Sequence, residues 1–93
     1  MNKYSGFVLK IVKQIEEKFG CIAYAYVEEN DKWWCICVND YDLYMGDEDF
    51  KKFRKNWHII AKKRKIGIVF CYCNPIESKL SQLANNNNLV MNV

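Results

Sequence analysis

A chain of 93 residues is one domain, 1–93, and one this short buries only about 60–65% of the surface its unfolded form exposes, so its core is adequate but small. Hydrophobic residues at 51% and charged residues at 27% exclude a disordered chain, while a 15% aromatic share is more than a small core readily absorbs and predicts an aromatic surface patch. The net charge of +3 is uneven: residues 1–46 carry five Lys against seven acids (−2) and residues 47–93 carry nine Lys or Arg against four acids (+5), which points the second half at phosphate or an acidic partner.

The first predicted element is a helix over 5–19. Val8, Ile11, Val12, Ile15 and Phe19 follow helical spacing, Ser5 stands where a cap belongs, and Gly20 supplies a left-handed stop. Residues 21–29 then alternate, with Cys21, Ala23, Ala25 and Val27 on one side and Ile22, Tyr24 and Tyr26 on the other. Polar residues 29–32 predict a turn, so a second strand over 33–39 folds back as a hairpin.

Residues 40–45 alternate acid or apolar with aromatic and are expected to extend the sheet briefly before Gly46. Asp47 is the predicted cap of a long helix reaching about residue 64, with Glu48 and Asp49 at its positive dipole end and basic residues 62–65 at the other. Its expected buried face is Phe50, Phe53, Trp57, Ile60 and Ala61. The stretch 66–73 is the most apolar and reads as a central strand, returned parallel to the second strand by the long helix. A short helix over 76–84, just after Pro75, and a closing edge strand over 89–93 complete the chain. The fold class is therefore α/β or α+β. A small mixed sheet of 3–5 strands follows the order helix-strand-strand-helix-strand-helix-strand, with the helices mainly on one face.

Two strands carry the same cysteine rhythm, Cys35-Ile36-Cys37 and Cys71-Tyr72-Cys73, which puts each pair on one sheet face. Cys35, Cys37, Cys71 and Cys73 are thus an alternative tetrathiolate metal set. Against it, cysteines two apart on one strand stand roughly 6.5 Å apart, whereas zinc ligands usually come from turns that let the sulfurs converge. An odd number of cysteines inside apolar runs does not read as a disulfide scaffold, so all five are taken as reduced, small core residues, with no metal or other cofactor expected. Histidine occurs once, at His58 among Lys51, Lys55 and Lys62, and reads as a solvated side chain, leaving no Cys-His catalytic pair.

The basic face of the long helix, Lys51, Lys52, Lys55, Lys62, Lys63 and Lys65 with Arg54, is dense enough to contact a phosphate backbone. The element order is similar to the core of metal-dependent nucleases, which hold Mg²⁺ with carboxylates beside a lysine. Residues 37–40, however, read Cys-Val-Asn-Asp without the acid-x-Lys triplet, so that core would be degenerate. Nucleic-acid binding through helix 47–65 is the second expectation. The first is a non-enzymatic interaction module whose partner is itself, as a homodimer, or another protein. Its expected interface is an edge strand or the aromatic sheet residues Tyr24, Tyr26, Trp33, Trp34 and Tyr72. No segment has the pattern of a signal peptide or the roughly 20 apolar residues of a membrane span, so a cytoplasmic location and no membrane partner are expected.

Overall fold

Residues 4–27, 33–73 and 89–91 are described by a computed structural model, with the side chains of Leu89 and Met91 excepted. Helix α1 spans Ser5–Phe19 and buries Val8, Ile11, Val12 and Ile15. Ser5 is already helical and Tyr4 occupies the cap position without a side-chain bond, so the expected serine cap does not form. Gly20 ends the helix at φ 67°, where its N–H reaches the Glu16 carbonyl at 3.1 Å, a conformation glycine adopts without a Cβ penalty.

Strands β1 (Ala23–Tyr26) and β2 (Trp33–Val38) pair antiparallel, with Tyr24 opposite Cys37 and Tyr26 opposite Cys35. Asn39 closes the open end of this ladder. Its N–H donates to the Ile22 carbonyl and its Oδ1 accepts the Ile22 N–H at 3.1 Å.

The chain then turns helical where a further strand was expected: α2 covers Tyr41–Gly46. Asp40 nucleates it by accepting the Leu43 N–H on Oδ1 at 3.0 Å, a bond no extended backbone can make. Asp47 repeats the device for α3 (Glu48–Lys63), accepting the Phe50 N–H at 2.8 Å. The buried line of α3 is Phe50, Phe53, Trp57 and Ala61; Ile60, expected to join it, is 40% exposed because the steps 50, 53, 57, 61 leave position 60 on the shoulder of the helix.

At its far end Lys65 takes φ 58°, with Lys65 N–H on the Lys62 carbonyl at 3.1 Å and Ile66 N–H on the Ala61 carbonyl at 2.9 Å. These two bonds are a Schellman stop, here built without glycine. It delivers the chain into β3 (Gly67–Tyr72), parallel to β2 with Cys71 beside Cys37.

Sheet order is β3-β2-β1-β4, where β4 is Leu89–Met91, antiparallel to β1. The closing strand lies at an edge as expected, but β3 lies at the other edge and not in the centre. Its apolar side chains are buried by α3 on one face of the sheet, not by a strand on each side. The turn near 29–32 and the helix over 76–84 fall outside the described residues.

Helices α1 and α3 cover one face of the sheet. Val8, Ile11, Val12, Ile15, Phe50, Phe53, Trp57 and Ala61 meet Ala23, Ala25, Trp34, Ile36, Val38, Ile68, Phe70 and Val90 in one cluster. Phe19 joins it edge-on to Phe50 and Phe53, with centroids at 5.2 and 5.5 Å. The molecule is a mixed α/β protein in which these helices leave the opposite sheet face to the cysteines. Among the described residues no helix is long and apolar enough to cross a membrane.

Candidate functional site

Two places bring chemistry-bearing residues together: a basic trough along the outer edge of β3 and a thiol cluster on the sheet face away from α1 and α3.

Helical spacing aligns Lys51, Arg54, Lys55, His58, Ile59 and Lys62 along the side of α3, and this stripe faces Val69 and Phe70 across a groove of about 550 Å³. A second groove of about 500 Å³ adjoins it, lined by Trp33, His58, Lys62, Lys65, Gly67 and Ile68 among others. The two share His58 and Lys62 and form one trough. The ring of His58 stands edge-on to Phe70 at 5.3 Å and joins the trough wall to the core.

Arg54 is the anchored cation of the set. Its guanidinium lies over Tyr44 and Phe50 at 5.0 and 5.1 Å and donates to the Tyr44 carbonyl at 3.3 Å, while its Nε is buried with no partner among the described residues. Lys51 pairs with Glu48 at 3.3 Å on the surface. Of the lysines expected from sequence, Lys51, Lys55, Lys62 and Lys65 line the trough. Lys52 lies on another side of α3, in a groove with Lys18 and Asp49, and Lys63 lines neither part of the trough. Arg54, counted from sequence with the basic face, lines the trough as well, and so does His58, which sequence reasoning gave no site role; its signal is the same three- and four-residue spacing from Arg54 and Lys55.

The floor of the trough is a strand edge. Cys73 N–H bonds back to the Val38 carbonyl at 3.1 Å, which sets the parity of β3: Val69 and Cys71 turn their backbone groups toward β2, and Ile68 and Phe70 turn theirs away. The outward Phe70 carbonyl accepts the Tyr44 hydroxyl at 3.2 Å. Among the described residues no strand pairs with the outer side of β3.

On the opposite face the parallel register sets Cys37 beside Cys71, and their sulfurs lie 3.1 Å apart. Cys73, just beyond β3, brings its sulfur to 3.2 Å from that of Cys37, so the three sulfurs are all within 4.8 Å of one another. The spacing objection to a thiolate set is met because the convergence is across strands. Cys35 faces the same side beside Tyr26 but is not in the trio, and Cys21 packs against the main core, so the quartet expected as the alternative reduces to three. All five cysteines are without a disulfide.

Tyr24, opposite Cys37, is fully buried, and its hydroxyl has no hydrogen-bond partner among the described residues. The hydrogen bond to Cys71, reinforced by burial, pushes the Cys37 thiol far above its ordinary range. Burial does the same to the Tyr24 and Tyr26 phenols, with Cys73 adding to the rise at Tyr24 and Cys35 at Tyr26. This environment keeps the Cys37 thiol protonated and unreactive.

The five aromatics expected at an interface lie on both faces of the sheet. Tyr24 is buried and Tyr26 half-buried on the cysteine side, where Trp33 is 54% exposed. Trp34 is buried under the helices, and Tyr72 turns to the same side, against Tyr41 and Tyr44. Adjacent strand residues point to opposite faces, which separates Trp33 from Trp34.

Comparison with family models, with curated proteins and with solved structures finds no match for this chain.

Proposed function

We propose that this protein is a binding module that takes an extended acidic segment of another protein along the outer edge of β3. One observation carries the reading: the outward backbone groups of Ile68 and Phe70 lie beside a stripe of cations formed by Lys51, Lys55 and Lys62, with Lys65 at its end. A strand edge supplies main-chain hydrogen bonds to any extended peptide, and the flanking charges select an acidic one and speed its encounter. Two copies paired edge to edge through β3 would set their lysine stripes against each other, so the partner favoured here is a different, acidic chain. Self-association through the aromatic residues draws no support from their positions, since Tyr24 and Trp34 are buried.

Single-stranded nucleic acid is the second reading, favoured by the exposed Trp33 ring near Lys62 and Lys65, where a base can stack beside a neutralised phosphate.

Fluorescence anisotropy with a labelled acidic, strand-forming peptide and a labelled single-stranded oligonucleotide tests both. The peptide is expected to bind, to lose about tenfold or more in affinity to the double variant Lys55→Glu with Lys62→Glu, and to fail when its backbone is N-methylated at alternate residues. Binding of the oligonucleotide without the peptide would replace the first reading by the second. Binding of neither removes both.

A further inference from the structure

We propose that Cys37, Cys71 and Cys73 are the ligands of one thiophilic metal ion, with the Tyr24 hydroxyl as hydrogen-bond donor to a ligating sulfur. The site is independent of the β3 trough. Zinc–thiolate bonds of about 2.3 Å place the sulfurs of a tetrahedral centre about 3.8 Å apart. Two of the sulfur–sulfur distances in this trio, 3.1 and 3.2 Å, are somewhat shorter than that value and the third is within 4.8 Å, so small side-chain rotations bring them onto it.

The backbone already holds the ligands. Cys37 and Cys71 are register partners in the β2–β3 ladder, and Cys73 is tied to the same ladder through its N–H on the Val38 carbonyl. Little ordering is left for the ion to impose. Cys71 also directs its sulfur toward the Ile36 carbonyl at 3.8 Å, a direction that remains open to a small rotation.

Tyr24 is the independent sign that a ligand belongs here. A fully buried hydroxyl without a hydrogen bond of ordinary geometry stands beside the Cys73 and Cys37 sulfurs, which accept only weakly as thiols, whereas metal-bound thiolates accept strongly. Orienting donors of this kind are regular companions of metal ligands. The trio contains no imidazole or carboxylate, so its donor set selects soft ions, and Zn²⁺ and Cu⁺ share the required thiolate chemistry. Binding is not a redox step: each ligating thiol releases its proton to solvent, one per metal–sulfur bond formed, and the ion keeps its charge. Copper(I) is satisfied by three sulfurs alone, whereas zinc takes a fourth donor.

The reduced, chelator-treated protein is titrated separately with Zn²⁺, with Co²⁺ as the coloured zinc analogue, and anaerobically with Cu⁺ against a coloured Cu⁺ chelator. Stoichiometry is read by native mass spectrometry. One ion per chain is expected, with sulfur-to-cobalt charge-transfer absorption if the site is zinc-like, or retention of copper against the chelator if it is trigonal. Cys71→Ser and Cys73→Ser should each abolish tight binding while circular dichroism keeps the wild-type shape. Cys21→Ser and Cys35→Ser should bind as wild type, and Tyr24→Phe, which fills the same space, should weaken binding about tenfold. Failure of all three ions to bind overturns the proposal, as does equal loss in Cys35→Ser or a Cys37–Cys71 disulfide forming in place of metal uptake.

Discussion

The hydroxyl of Tyr44 in α2 donates to the carbonyl oxygen of Phe70 in β3 at 3.2 Å, fastening the short helix to the outward side of an edge strand. Tyr44 is also the surface on which the Arg54 guanidinium rests, at 5.0 Å from the ring centroid. One tyrosine thus seats α2, covers an outward carbonyl and positions the anchored cation of the trough. An incoming strand meets Ile68 and the Phe70 N–H but is stopped at Tyr44, which limits pairing to the first part of β3 and guards against open-ended edge association. Tyr44→Phe keeps the ring and removes the donor. It is expected to cost about 0.5–1.5 kcal/mol in urea unfolding and to leave the helical signal of the native state unchanged.

Asp47 joins α2 to α3 as the C-cap residue of one and the N-cap of the other. Its carboxylate accepts the Phe50 N–H at 2.8 Å, which also fixes where Phe50 enters the core. Asp47→Ala should destabilise by about 1 kcal/mol, with Asp47→Asn recovering most of the loss, because the amide oxygen caps as well as the carboxylate does. An equal loss in Asp47→Ala and Asp47→Asn would assign Asp47 a charge role instead of a capping one. Urea midpoints of the two variants measure the difference.

Most of the fold was legible because it follows local periodicity. The alternation of 23–27 and 33–38 assigned Ala23, Ala25 and Tyr24 to their faces, and Asp47 and Gly20 marked helix ends by their own chemistry. Residues 40–45 misled because six residues satisfy two periods at once, and the Asp40 side chain settles the choice through a bond to Leu43 that alternation does not encode. The edge position of β3 was not legible at all: apolar content reports burial, and α3 buries Ile68 and Phe70 from above with a described strand, β2, on one side of them only. The thiol trio depends on the pairing of Cys37 with Cys71, a contact across 34 residues that no local pattern specifies. The lysine stripe was half legible, since helical spacing orders Lys51, Lys55 and Lys62 but the position of β3 selects which side of α3 becomes a trough.

The raised Cys37 thiol makes stability sensitive to alkali. Its folded value lies above its ordinary value of 9.0, so the unfolded chain gives up the proton first as pH rises. Stability from this group is therefore fully present below pH 9.0 and is lost above it as pH climbs toward the folded value. The fall approaches about 1.4 kcal/mol per pH unit for a single group in metal-free, reduced protein. Tyr24, raised from 10.0, adds a second decline in the same direction at higher pH. Urea unfolding across the alkaline range should show this slope in the wild type and a shallower one in Cys37→Ala. Equal slopes in the two proteins would remove Cys37 as the cause.

Lys65 carries a conflict between stability and charge. It is the one non-glycine residue at positive φ among those described, held at 58° by the Schellman bonds that end α3, and it also lines the trough beside Trp33. A lysine in this conformation costs about 1 kcal/mol relative to glycine, the residue that most often closes such a stop. Lys65→Gly is therefore expected to stabilise the protein by about 0.5–1 kcal/mol, or raise Tm by about 4 °C, while removing one cation from the trough. The affinity for an acidic peptide should fall only a few-fold, since an exposed charge contributes about 0–1 kcal/mol, and the loss should shrink with added salt. Calorimetry and salt-dependent anisotropy on the same variant separate the two effects. Higher stability with weaker binding is the expected pairing; unchanged binding would place the partner's path nearer Lys51 and Lys55, away from the Trp33 end.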